Sequence, residues 1–240
     1  MIEHKDNRFV AHFDMLGMAT LTKRNPDLAW QKLSELRRAN EERLNLVIER
    51  TGTNELIANQ IKTFTFSDTI IAFSKGNTEN DALAIFILTT ELFSRTLHDC
   101  VPIRGGIAYG RFTFNFDLNL FSGPALVDAY ELGESSQWLG IVVDEHTAKT
   151  VSKLSIGKSP RGRDVVVPWD MPCKGNVVQK RMVVNWPETQ YKNYEGTLPL
   201  TIEMFYQPFS ELFGSLEKLA PSVVAKYANT VAFFNEYYRT

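Results

Sequence analysis

RFVAHFDMLGM, residues 8–18, is an apolar run that ends on an acid, and FSDTIIAF, residues 66–73, sets a second acid between two β-prone stretches. Arg8 to Phe13 reads as a largely buried strand that delivers Asp14 to its mouth. Leu56 to Phe66 and Thr69 to Ser74 are rich in Ile, Thr and Phe, with only Ser67-Asp68 between them, the length a tight hairpin needs. The spacing therefore predicts Asp68 at a hairpin tip.

Working outward, Asn25-Pro26 starts a helical pattern in which Leu28, Leu33, Leu36, Leu44, Val47 and Ile48 recur until Thr51-Gly52, as one long helix or two short ones. Thr78-Glu-Asn-Asp81 has the form of a capping box with Asp for Glu, and Ala82 to His98 follows as a helix apolar over most of its circumference. Pro102 to Gly110 reads as a strand with Arg111 to Phe116 as its hairpin partner, Ser122 to Trp138 as helix, and Ile141 to Val143 as a short buried strand. The order strand, helix, strand, strand, helix, strand is the βαββαβ arrangement of ferredoxin-like domains. Beyond Ser155 the pattern predicts a loop at Gly157 to Gly162, strands at Asp164 to Trp169 and Val177 to Trp186, and an amphipathic helix over Pro221 to Tyr238. The chain reads as one α+β domain over 1–240, with a core at about 8–150 and a C-terminal β/α extension at about 155–240.

At 240 residues and 44% hydrophobic, the chain can bury a substantial core. A net charge of −2 and a pI near 6.1 give no sign of a basic surface for nucleic acid or an anionic membrane, and leave room for a local positively charged pocket. The opening MIEHKDNRFVAHF lacks the apolar stretch of a signal peptide, and Ala82 to Leu88 is too short to cross a bilayer, so the expected location is the cytoplasm. Cys100 and Cys173 fit neither a disulfide framework nor a CxxC metal spacing and read as free thiols.

Chemistry concentrates at the two acids. Two adjacent strands of one sheet could bring Asp14 and Asp68 within a metal's reach of each other, and two-metal sites, with ions about 3.5–4 Å apart, clamp the attacking and leaving oxygens of an in-line displacement. Hard oxygen donors suit Mg²⁺ or Mn²⁺. Taken singly, each residue has an ordinary reading, Asp14 as a cap and Asp68 as a turn former. Gly105-Gly106 permits close approach of backbone to phosphate and equally marks a bulge or tight packing. His4, His12, His98 and His146 are scattered with no nucleophile beside them, so neither imidazole acid–base catalysis nor a covalent mechanism is expected.

These segments resemble the class III nucleotidyl cyclases, in which an Asp ending the first strand is followed three residues later by Gly, as Asp14 is by Gly17, and the next hairpin carries the second metal-binding Asp, here Asp68. PIRGGIAYG, residues 102–110, is similar to the family's Arg-Gly-Ile strand, and SGPALVDAY, residues 122–130, to its Gly-led helix. The chain departs from the purine enzymes at Phe64, where they place a base-reading Lys or Glu, and at Val127-Asp128 and Glu131, where they place an Asn and the transition-state Arg. VAHFDMLGM, FSDTIIAFS, VPIRGGIAYGRF, GPALVDAYELGES and the late VVNWP together resemble the pyrimidine cyclases of bacterial Pycsar antiphage systems.

The resemblance implies a ferredoxin-like core whose central, mostly antiparallel sheet carries helices on one face. It also implies a homodimer with active sites at the interface and two divalent ions, Mn²⁺ in preference to Mg²⁺, held by Asp14, Asp68 and the backbone carbonyl of Met15. Asp14, Asp68 and Arg104 would be catalytic, and Phe64, Arg104 and Lys62 would bind substrate. A guanidinium offers several donors to phosphate, which favours Arg104 for the triphosphate, although a structural ion pair is an equal reading of that residue. Lys62 and Arg111 are weaker candidates. The implied reaction converts UTP to cyclic UMP, with CTP to cyclic CMP as the alternative, to activate a neighbouring effector without stable binding to it. A rival reading is a degenerate cyclase-like module that binds a nucleotide or protein without turnover. A dimer contact or a lid are the two readings of residues 155–240.

Overall fold

Strand β1 (His4–Met15) divides its side chains between two environments, as an extended chain with a repeat of two must. Phe9, Ala11, Phe13 and Met15 enter the main core, while Val10 joins a second, smaller cluster on the opposite face with Phe73, Phe112, Phe114 and Ala125. The computed structural model describes residues 4–50, 61–189 and 199–239.

After β1 come α1 (Met18–Arg24), α2 (Pro26–Arg50), β2 (Ile61–Phe66), β3 (Thr69–Ser74), α3 (Glu79–His98), β4 (Ile103–Asn115), β5 (Leu120–Ser122), α4 (Pro124–Ser135), β6 (Ile141–Val143) and α5 (Glu145–Lys153). The extension supplies β7 (Val166–Cys173), β8 (Val177–Val184), α6 (Trp186–Thr189), α7 (Ile202–Tyr206), α8 (Ser210–Phe213) and α9 (Pro221–Arg239). One sheet joins all the strands in the order β2-β3-β1-β4-β6-β8-β7, with β5 paired to β4. The quartet β2-β3-β1-β4 is antiparallel throughout, as the predicted βαββαβ unit requires. Strand β6 joins parallel to β4, and β8 and β7 follow antiparallel.

Helix α3 starts at the predicted capping box: Thr78 Oγ1 accepts from the Asp81 amide at 3.2 Å, and Asp81 Oδ2 accepts from the Thr78 amide at 2.9 Å. Its apolar faces then bury Ala82, Ile85, Leu88, Leu92 and Phe93 in the main core. Helix α9 closes the far end, where Phe233 packs its ring 4.7 Å from Trp138 and 4.9 Å from Trp169. Among the described residues no helix is long and apolar enough to cross a membrane.

The helices do not all share one face. Helix α4 lies over the opposite side of the sheet from α3, because Gly106 and Gly133 let its backbone touch that of β4: a Cβ on Gly106 would sit 2.2 Å from the Ala129 carbonyl oxygen. A second difference is that Pro102 to Phe116 is no hairpin. Strand β4 runs unbroken through Gly110, which pairs with Arg8 and lies under Ala125 of α4 rather than in a turn. The actual hairpin joins β4 to β5, with Asn119 at φ 51° in the turn. Helix α2 is single over its described length, while residues 51–60, including the start expected for β2, lie outside the described residues. The predicted strand ending at Trp186 instead stops at Val184, and α6 begins there.

Candidate active site

Ladder register decides which side chains meet. Directly opposed residues share a face, so Phe66, Thr69, Asp14 and Arg104 form one row across β2, β3, β1 and β4, and Phe64, Ile71, His12 and Gly106 form the next. Both rows lie on the face that α4 partly covers. Asp68 precedes Thr69 at the hairpin tip, and its carbonyl oxygen accepts from the Met15 amide at 2.9 Å, tying the tip to the end of β1. Asp14, Met15, Asp68 and Arg104 are thus brought together. Ser67, with φ 54°, takes the left-handed conformation that turns the chain before Asp68.

Arg104 is buried, its side chain only 6% exposed, and each of its five N–H donors has an acceptor. Nε and Nη2 donate to Asp14 Oδ2 at 3.2 and 3.0 Å. Nη1 donates to the carbonyls of Glu134 and Ser136 at 3.0 and 3.2 Å, satisfying the C-terminal end of α4 where a cation is favoured. Nη2 also reaches the Glu134 carboxylate, which pairs with Lys174 from the β7–β8 turn. Burial, then Arg104, holds the Lys174 ammonium below the usual lysine range, with Asp14 acting in the opposite direction. Burial likewise lowers His12, whose ring meets Tyr130 of α4 edge-on at 5.2 Å.

Phe64 lies on the same face but its ring packs 4.9 Å from Phe121 of β5, and Lys62 is exposed further along β2, opposite Phe73. Neither touches the Asp14 cluster through any contact among the described residues. Gly105 and Gly106 stay in register, so tight packing is the reading that fits them: a Cβ on Gly105 would strike the Phe13 ring at 2.3 Å. Glu134 and Lys174 were not anticipated from the sequence. Glu134 closes a helix whose pattern was visible, but only the fold returns the Lys174-Gly175 turn to its end.

Were the Asp14 and Asp68 carboxylates and the Met15 carbonyl to act together, they would supply oxygen donors of the kind that hard divalent cations use together with substrate phosphates and water. Among the described residues no group of three or more His, Cys, Asp or Glu side chains gathers as for a metal, so ligands beyond Asp14 and Asp68 would come from backbone, water and substrate.

No family model and no curated protein sequence matches the chain. Its fold is nevertheless that of class III nucleotide cyclase catalytic domains. It is similar to the catalytic core of a rhodopsin-guanylyl cyclase with converted specificity in complex with ATPαS, at 14% identity and a TM-score of 0.54 over 77% of this chain and 98% of that one. It is also similar to the adenylate/guanylate cyclase/hydrolase from Silicibacter pomeroyi, at 16% identity and a TM-score of 0.50 over 76% and 96% of the two chains.

Proposed function

We propose that the chain is a nucleotide cyclase that takes a pyrimidine nucleoside triphosphate, UTP in the first instance and CTP as the alternative, and releases a 3′,5′-cyclic monophosphate and pyrophosphate. The observation that carries this reading is the pairing of Asp14 and Asp68 at the joined ends of β1 and the β2–β3 hairpin, on a cyclase fold. Asp14, Asp68 and the Met15 carbonyl would hold two divalent ions, Mn²⁺ or Mg²⁺, supplying charge to the ribose 3′-oxygen and the polyphosphate. The 3′-oxygen forms a bond to the α-phosphorus, the α–β anhydride bond breaks, and the 3′-hydroxyl proton leaves to solvent, with no dedicated side-chain base required. The chain's own contribution is positioning: Arg104 fixes the Asp14 carboxylate, and its charge offsets part of the charge brought in by substrate.

The pyrimidine preference rests on Phe64, an apolar ring where the purine enzymes use a polar base reader. The homodimer is supported by exposed apolar side chains on the face of the site: Phe66, in the row of Asp14, is 72% exposed, and Val127 and Tyr130 of α4 are 52% and 45% exposed. A role in antiphage signalling through a cyclic-nucleotide-activated effector follows from the resemblance to Pycsar cyclases. Incubating the purified protein with each of the four ribonucleoside triphosphates and Mn²⁺, with products identified by mass, should yield cyclic UMP or cyclic CMP. Cyclic AMP or cyclic GMP alone would overturn the pyrimidine reading. Absence of any cyclic product would favour the non-catalytic binding module that Val127 and Glu131, in place of the purine enzymes' Asn and Arg, motivate.

A further inference from the structure

Helix α9, outside the predicted core, reaches the Asp14 cluster through one face. Asn229 Nδ2 donates to the Gln137 carbonyl at 2.7 Å, and Thr230 Oγ1 accepts from the Leu139 amide at 2.8 Å. These bonds pin α9 to the segment whose Ser136 carbonyl Arg104 grips. Lys226 lies three and four residues before Asn229 and Thr230 and so shares their face. Its half-buried side chain lines a cavity of about 180 Å³ together with Leu16 and Gly17, the residues that follow Met15, and with Arg24 and Tyr227.

Two cations and no carboxylate line this cavity. Arg24 gives one N–H to the Leu212 carbonyl, but among the described residues neither Arg24 nor Lys226 has an ion-pair partner. Burial, then the neighbouring Arg104 and Lys174, push the Lys226 ammonium below the usual lysine range, and Asp14 offsets this only in part. A half-buried cation among cations costs folding free energy unless an anion arrives to neutralise it. Arg104 has no donor left to supply that service, since all five are spent on Asp14 and α4.

We propose that Lys226 is a polyphosphate-binding residue, which brings the ammonium of α9 to the β- and γ-phosphates of the substrate beside the Leu16–Gly17 turn. The inference rests on the cyclase reading for the identity of the ligand, and it assigns the C-terminal segment a direct part in the site. Gly17 shows how closely that segment is seated: it has φ 81°, and a Cβ there would lie 2.8 Å from the Phe213 ring of α8.

The test uses inorganic tripolyphosphate with Mn²⁺ as the probe, so that binding is read without turnover. Wild-type protein should bind it by calorimetry, Lys226→Met should bind about tenfold more weakly, as loss of a charge-assisted contact implies, and Lys226→Arg should retain most of the affinity. Without ligand, Lys226→Met should melt at or above the wild-type temperature, because it removes a half-buried charge that has no ion-pair partner among the described residues; a purely structural lysine would show the reverse. Equal affinity in wild type and Lys226→Met, or no binding by wild type, overturns the proposal. If no triphosphate is cyclised yet tripolyphosphate binding still depends on Lys226, the cyclase reading fails and the anion site stands.

Discussion

The end of β1 and the tip of the β2–β3 hairpin each present one carboxylate, and they are held by opposite means. Asp14 is fixed by its side chain: Arg104 holds one carboxylate oxygen and is itself locked to the end of α4. Asp68 is fixed by its backbone, through the Met15 amide, and among the described residues its carboxylate accepts no hydrogen bond. Removing the Asp68 carboxylate would therefore subtract a proposed metal ligand and break no hydrogen bond among the described residues, whereas disturbing the Asp14 side pulls on the packing of sheet against helix. Function and stability should separate at one acid and stay coupled at the other.

The largest effect follows at Asp68. Asp68→Ala should lower cyclase turnover by about 10³-fold, or about 4 kcal/mol in the barrier, while the melting temperature moves little, as for a substitution that breaks no buried contact. Turnover near the wild-type rate would remove Asp68 from the metal assignment. Next comes Arg104→Met, which leaves the Asp14 and Glu134 carboxylates facing each other without their shared cation and the last carbonyls of α4 without a donor. Loss of one partner from a buried ionic cluster costs about 3 kcal/mol, and denaturant unfolding should show a loss of that order. A change under about 1 kcal/mol would mean that the Asp14 side is as independent of the fold as the Asp68 side.

How far this contrast was legible in the sequence depends on whether the signal was local. Strand β3, the Thr78–Asp81 capping box, the Ile141–Val143 strand and the amphipathic α9 carry their own periodicity or caps, and they lie where the sequence predicts, while β1 ends close to its expected mouth at Asp14 but starts four residues before Arg8, at His4. Gly110 misled because a glycine inside a long strand and one that makes a turn look identical until the neighbouring strand, here Arg8 of β1, is placed against it. Helix α1 was hidden in a short run after Gly17, and α5 is capped by Asp144, whose side chain accepts from the Thr147 amide and also from the Tyr109 amide of a distant strand. The Asp14 and Asp68 pair was visible as two acids at strand ends. That Arg104 would be saturated was not, because its acceptors lie some 30 and 90 residues away in sequence.

A more modest effect is expected from Gly106→Ala, where the added methyl would meet the Ala129 carbonyl at 2.2 Å and Leu132 Cβ at 2.8 Å. Backbone cannot retreat as a flexible side chain can, so the substitution should cost about 2 kcal/mol, typical of overpacking. It should also shift α4, and with it the carbonyls that anchor Arg104. Hydrogen exchange should then quicken at amides of α4 and the facing part of β4 and stay unchanged in the β2–β3 hairpin. Equal loosening at both places would merge the two sides of the comparison into one cooperative unit.

The smallest effect is the sharpest test of what holds Asp14. Glu134 sits between two cations, one side chain 6% exposed and the other, Lys174, 49% exposed. Coulomb attraction to Lys174 is screened by water, and its long side chain loses rotamer freedom on pairing, so Lys174→Ala should cost less than about 0.5 kcal/mol in stability. Removing Lys174 also removes a repulsion felt by Arg104, which partly cancels what Glu134 loses. The Arg104 contribution, by contrast, comes from hydrogen bonds to carbonyls that water does not replace in the folded state. A double-mutant cycle over Arg104→Met and Lys174→Ala should therefore give a large single term for Arg104 and a small coupling between the two; a Lys174 term approaching that of Arg104 would show that the ammonium, rather than the guanidinium, keeps Glu134 and Asp14 in place.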